Sequence, residues 1–205
     1  MMDFAKAFDK VPRRLPYKFQ YYGIQENTLL WIQSFLSERT QTVGVIGISS
    51  NTVPVTSGVP RGTVLGPILI LIYINDFPEY VSHSKLRLCA DDSIIYRDIK
   101  TQDDCLKLQQ DLDSAADWLM AIHPDKCTKL TVPPSHDKNQ PIKHKYILHN
   151  HILESVTSAK YLDITLQSNL KWNLHYDNII SNGNKSLGFL KRNLTVSNTD
   201  IKSRA

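Results

Sequence analysis

Asp91 and Asp92 stand side by side in LRLCADDSIIY, residues 86–96, between two short apolar runs, an expensive place for two ionised carboxylates. Two roles account for such a pair. A reversing hairpin favours Asp, whose short side chain bonds back to its own backbone and tolerates unusual dihedrals. A hard divalent cation is the other, since adjacent carboxylates repel each other unless positive charge sits between them. Taken alone, the stretch favours the turn, because Asp-rich turns are common.

The neighbouring elements decide whether further acidic groups can reach the pair. Residues 27–38 open on Asn27 as a cap and place Leu29, Leu30, Ile32, Phe35 and Leu36 at helical spacing. Residues 41–58 alternate β-branched residues around Ser49-Ser50-Asn51, a hairpin pattern. Residues 63–76 predict a mostly buried helix with Pro67 in its first turns. Strands over 86–89 and 93–97 then flank the aspartates. Thr101 caps a helix with Asp103 and Asp104 at its positive end and Cys105, Leu108, Leu112, Ala115, Leu119 and Ile122 in a stripe, and Pro124 ends it. A short strand over 126–132 leads to the polar loop PPSHDKNQP, 133–141, which marks a boundary. Beyond it, 144–155 and 156–166 predict strands, and Trp172 to Leu194 a helix with apolar residues at 172, 176, 179, 180, 187 and 190.

The fold class is therefore α+β. Between Asp3 and Val132, setting aside one inserted helix and one hairpin, the order is strand, helix, strand, strand, helix, strand. That is the split βαβ order of ferredoxin-like domains. Its first two strands run parallel, so Asp3, ending strand one, reaches the same sheet edge as Asp91 and Asp92 at the end of strand two. Three carboxylates around one point raise one another's pKa values and oppose folding unless cations join them. Two Mg²⁺ ions would resolve the conflict, and such a pair can serve phosphoryl transfer, which element order alone leaves as one possibility.

At this point the chain resembles the palm of reverse transcriptases, specifically those of non-LTR (LINE/jockey-like) retrotransposons. DFAKAFDKV at 3–11 is similar to the first palm motif, and SGVPRGTVLGP at 57–67, continued by IYINDFP at 72–78, to the second. CADD at 89–92 resembles the third, Trp118 with PDKC at 124–127 the fourth, and AKYL at 159–162 with SNLKW at 168–172 the fifth and the thumb entry. Each motif is weak alone; five in order are specific.

The resemblance implies an RNA-directed DNA polymerase in which Asp3, Asp91 and Asp92 hold two Mg²⁺ ions, or Mn²⁺ in their place, with the Phe4 carbonyl as a further ligand. Phe8 would be the aromatic gate against a ribose 2′-hydroxyl, against a plain core role. Lys126 would protonate the leaving pyrophosphate, against a solvated strand-end charge. Arg61 and Gly62 would contact the incoming nucleotide and template, with Gly62 allowing close backbone approach. The partners implied are an RNA template, a DNA primer and dNTPs. The expected division is palm over 1–132, a loop and β-hairpin with primer-grip-like strands over 133–171, and a partial thumb over 172–205. Departures from the family pattern are Arg61 for Gln, Cys89 for an aromatic and Asp163 for Gly. With only Met1 and Met2 before Asp3, the expectation is a nearly absent strand one and missing fingers. The expectation for the 205-residue polypeptide is accordingly little or no synthesis.

Composition agrees without deciding anything. With 205 residues, 41% hydrophobic and 21% charged, the chain has room for one domain with a sizeable core, or for one domain and part of another, and its net charge of +4 suits a polyanionic partner. Cys89, Cys105 and Cys127 lack metal-ligand spacing and indicate a reducing, intracellular setting. The longest apolar run, 68–74, is far too short to span a bilayer, and no signal peptide is visible. His144, His149 and His151 fit a polar surface hairpin better than a zinc site. Lys185, Lys191 and Arg192 could contact phosphates or simply face solvent. The competing class is a non-enzymatic retroelement relic or a nucleic-acid-binding module.

Overall fold

The computed structural model describes residues 1–3, 8, 9, 11, 15–90, 92–118, 124–133 and 142–193. The chain divides into two compact units, Met1–Lys129 with Gln140–Ser155, and Leu130–Asn139 with Val156–Ala205.

The first unit begins with β1 (Met2–Asp3), α1 (Leu15–Tyr21) and α2 (Glu26–Leu36). The α2 helix starts one residue before Asn27, behind Gln25, whose side chain makes no capping bond. Burial of Leu29 and Ile32 against α1 therefore holds this helix more than any cap does. Next come four two-residue strands, β2 (Thr40–Gln41), β3 (Gly44–Val45), β4 (Ile48–Ser49) and β5 (Val53–Pro54), with β2 paired to β5 and β3 to β4. The hairpin predicted here forms, but it reverses at Ile46-Gly47 rather than at Ser49-Ser50-Asn51. Both turn residues have positive φ, +49° and +79°, the backbone twist that suits a tight two-residue turn.

The α3 helix (Leu65–Ile74) buries Gly66, Leu69, Ile70 and Ile74 but leaves Ile68 and Leu71 about half exposed, so it is buried on one face rather than all round. A 3₁₀ turn, Phe77–Tyr80, leads to β6 (Lys85–Cys89) and β7 (Asp92–Tyr96). The α4 helix (Gln102–Trp118) starts as its sequence predicts. Thr101 Oγ1 accepts the Asp104 N–H at 3.3 Å, and Asp104 Oδ2 accepts the Thr101 N–H at 3.0 Å, a reciprocal cap. Cys105, Leu112 and Ala115 of the predicted stripe are buried; Leu119 and Ile122 lie outside the described residues. Asp111, polar yet only 2% exposed, accepts the backbone N–H groups of Ser82 and His83 and so ties α4 to the chain entering β6.

The principal sheet has the order β1, β7, β6 with both neighbouring pairs antiparallel, so β1 and β6 run parallel with β7 between them. Beyond β1, Met1 and Thr128 exchange backbone hydrogen bonds at 2.8 and 3.1 Å, placing the start of β8 (Thr128–Leu130) on its other flank. One core cluster packs α4, Phe77 and Met2 with Tyr146 and Leu148; the other packs α1, α2 and α3 with Val11 and Val59. Strands β9 (Ile147–Leu148) and β10 (His151–Ile152) form a short hairpin beside α4, and β11 (Glu154–Val156) leads out of the unit.

The second unit carries the hairpin β12 (Ser158–Tyr161) and β13 (Ile164–Gln167) and the helix α5 (Asn173–Asn193). The hairpin turns at Leu162-Asp163, where φ is +48° and +63°. The position of the family's glycine does need positive φ. Asp is among the side chains that tolerate it, and Asp163 is further held by Lys160 at 2.6 Å, which also lowers its pKa. The α5 helix meets β13 through Thr165, whose N–H donates to His175 Nδ1 at 3.3 Å. Its predicted apolar stripe is exposed throughout, with Ile180 at 61%.

Candidate active site

Backbone register aligns acidic positions at one edge of the principal sheet. Asp3, closing β1, is the register partner of Asp92, which in turn faces Cys89 of β6, so Asp3, Asp92 and Cys89 form one row across three strands. Asp92 opens β7 instead of ending β6 as the sequence suggested. The correction does not separate it from Asp3, because β7 rather than β6 is the strand beside β1. Ala90 turns the chain between β6 and β7 with φ +50°. Asp91 and Phe4, two of the expected site residues, lie outside the described residues. Like charges directly across a strand pair oppose pairing, so two Asp positions in register are unfavourable for the sheet taken by itself. Among the described residues, no three His, Cys, Asp or Glu side chains gather closely enough to enclose a metal unaided.

Lys126 ends the 3₁₀ turn Pro124–Lys126, which packs beside β1, and it is exposed. It is thus carried on the strand flank opposite β7.

The loop at 57–62 is sewn to Phe8, Asp9 and Val11. Val59 N–H donates to the Phe8 carbonyl at 2.7 Å, Gly58 N–H to the Val11 carbonyl at 2.9 Å and Ser57 Oγ to the Asp9 carbonyl at 2.8 Å. A Cβ on Gly58 would lie 2.4 Å from the Phe8 oxygen and 2.6 Å from Asp9 Cα, so only glycine allows this approach. Gly62, expected to serve close approach, has positive φ (+74°) with nothing within 4 Å of a Cβ; among the described residues its conformation, rather than crowding, calls for glycine. The Arg61 guanidinium lies 5.6 Å from the Phe8 ring centre, and its Nη2 donates to Asp9 Oδ2 at 3.1 Å. Phe8 itself is half-buried beside the helical core cluster.

A family model described as reverse transcriptase (RNA-dependent DNA polymerase) matches residues 1–166. The chain belongs to the reverse transcriptase family. It is 29% identical over 191 residues to the RNA-directed DNA polymerase from mobile element jockey of Drosophila melanogaster, covering 87% of this chain and 20% of that protein. It is 27% identical to the probable RNA-directed DNA polymerase from transposon BS (85% of this chain, 20% of the relative) and 25% identical to that from transposon X-element (87% and 20%), both also from Drosophila melanogaster. The chain therefore spans about a fifth of the length of the curated relatives it matches. The jockey-like resemblance read from the motifs is borne out.

Within this reverse transcriptase chain, two groups escaped sequence reasoning. Asp9 falls inside the first motif, and its bond to Arg61 spans 52 residues. Lys18 of α1 donates to the Tyr73 carbonyl and to Asp76 Oδ1, both at 2.6 Å, and lies 4.7 and 4.8 Å from the Tyr73 and Trp118 ring centres. Burial first, and then the charge of Asp76, raise the Tyr73 pKa. The signal in the sequence is the IYINDFP extension itself, which places an Asp and aromatics together across the end of α3.

Proposed function

We propose that this chain is the palm of an RNA-directed DNA polymerase, built on a ferredoxin-like split βαβ sheet, with the primer-grip-like hairpin over 133–171 and the first part of a thumb over 172–205. The observation that carries the reading is the register of Asp3 against Asp92 at the sheet edge, within a chain of the reverse transcriptase family. Strand β7 between two mutually parallel strands is the order expected for that sheet, and the Met1–Thr128 bonds supply its fourth position.

The donor set fits Mg²⁺ or Mn²⁺. Asp3, Asp91 and Asp92 offer only carboxylate oxygen, with the Phe4 carbonyl as a further ligand, and oxygen ligation suits these ions rather than zinc. When bound, such cations supply charge neutralisation to the attacking and leaving oxygens of phosphoryl transfer. The substrates are a DNA primer on an RNA template and a dNTP: the primer 3′-hydroxyl oxygen bonds to the α-phosphorus, and pyrophosphate leaves. Phe8 stands beside the sugar of the incoming dNTP and excludes a 2′-hydroxyl. Arg61 and Gly62 contact nucleotide and template from the loop that Val59 and Ser57 anchor. Lys126 gives its proton to the leaving pyrophosphate.

A Mn²⁺ titration followed by electron paramagnetic resonance tests the site on the 205-residue chain. Loss of the free-ion signal on addition of protein, and its recovery in Asp3→Asn, Asp91→Asn and Asp92→Asn, is the expected result. Equal binding by all three variants and the unaltered chain would overturn the assignment and favour a non-enzymatic nucleic-acid-binding module.

A further inference from the structure

We propose that Asp9 and Arg61 act as a positioning pair that sets the Phe8 ring, so that discrimination between deoxyribonucleotides and ribonucleotides depends on both. The inference rests on the reading of Phe8 as the sugar gate. The backbone of Phe8 is fixed by the Val59 N–H at 2.7 Å, and its half-buried ring packs against the helical core cluster without being enclosed by it. Arg61 adds a contact by lying over the ring at 5.6 Å. A guanidinium can stack on an aromatic face and bond a carboxylate at the same time, which neither Gln nor Lys does equally well. Asp9 fixes the guanidinium at 3.1 Å from the residue next to Phe8, so ring, cation and carboxylate form one closed group.

The pair has little to do with holding the fold. The Arg61 and Asp9 side chains are 62% and 52% exposed, and ion pairs at such exposure contribute little to stability. Nor does Arg61 simply present a free cation to a phosphate, since its charge is already engaged by Asp9. The same arrangement explains how the chain tolerates Arg where family members usually carry Gln: Asp9 absorbs the added charge and turns it onto the ring.

Saturation-transfer difference NMR on the 205-residue chain with dATP or ATP, in the presence of Mg²⁺, tests this. The unaltered chain is expected to bind dATP more tightly than ATP. Arg61→Gln and Asp9→Asn each reduce that preference by roughly three- to tenfold, the double variant is no worse than either single one, and neither changes the preference in a Phe8→Ala background. Circular dichroism of each variant checks that it folds. Preference retained in both single variants overturns the inference while leaving the gate reading intact. So does equal tightening of both nucleotides by Asp9→Asn, which marks Arg61 as acting on the phosphates without any part played by the ring. No preference in the unaltered chain, or no binding, overturns the gate reading and the inference with it.

Discussion

Replacing Gly58 with alanine is expected to destabilise the chain far more than the same change at Gly62, although the two glycines have nearly the same backbone angle, φ +78° and +74°. A left-handed conformation costs an L-residue about 1–2 kcal/mol, partly offset by about 0.4–1 kcal/mol from the stiffer unfolded chain, so Gly62→Ala has a net cost of about 1 kcal/mol. At Gly58 the new methyl also meets backbone at 2.4, 2.6 and 2.7 Å, distances that side-chain rotation cannot relieve. Phe8 and Asp9 must move away, and the three bonds that Ser57, Gly58 and Val59 donate to the carbonyls of Asp9, Val11 and Phe8 loosen together. At about 1 kcal/mol for each bond, the total reaches roughly 4 kcal/mol. For a chain of this length each kcal/mol shifts the melting temperature by roughly 2–4 °C, so differential scanning calorimetry separates the two variants clearly. Equal shifts for Gly58→Ala and Gly62→Ala would refute the claim that the two loops are held at backbone contact.

Other consequences can be measured on the same material. Asp104 receives hydrogen bonds from Arg97, then Thr101 and the Lys100 backbone, which hold its carboxyl well below the usual 3.8. A depressed folded pKa gives stability that is present above that usual value and lost as pH falls below it, so Asp104→Asn flattens the acid limb of stability against pH in urea titrations. Lys18→Met leaves Asp76, 23% exposed, without its cation and is expected to cost about 1–3 kcal/mol; Asp76→Asn in the Lys18→Met background recovers part of it in thermal melts. In a primer-extension assay with Mg²⁺, dNTPs and an RNA template, any extension by the chain is expected to vanish in Asp92→Asn and to persist in Asp163→Asn, which alters only the β12–β13 turn.

Elements with local signatures could be read from the sequence. The α4 helix carries its cap, its acidic first turn and its apolar stripe in one stretch, and all three act in the fold. The edge placement of Asp3 followed from element order alone, because a split βαβ order leaves few places for strand one. The hairpin turn was misread because Ile46 is a poor residue for positive φ while Ser49-Ser50-Asn51 has turn chemistry; pairing of β2 with β5 outside the turn overrides the local preference. Gln25 likewise displaced Asn27 as the α2 cap, since burial of Leu29 and Ile32 sets the helix position. The Arg61–Asp9 and Lys18–Asp76 pairs were invisible, being contacts between residues more than fifty positions apart that only the packed loops create.

Trp118 gives the first unit a mechanical property. It stacks on Phe77, a member of the sheet-side core, at 5.0 Å and on Tyr73, packed against the helical core, at 5.4 Å. The two cores therefore share one indole, and neither can open without disturbing its contacts. Melting of the strands that bear the aspartates and of the helices that flank the loop at 57–62 is consequently expected to be a single cooperative event with one shared indole inside it, while Trp31 and Trp172 are about half exposed.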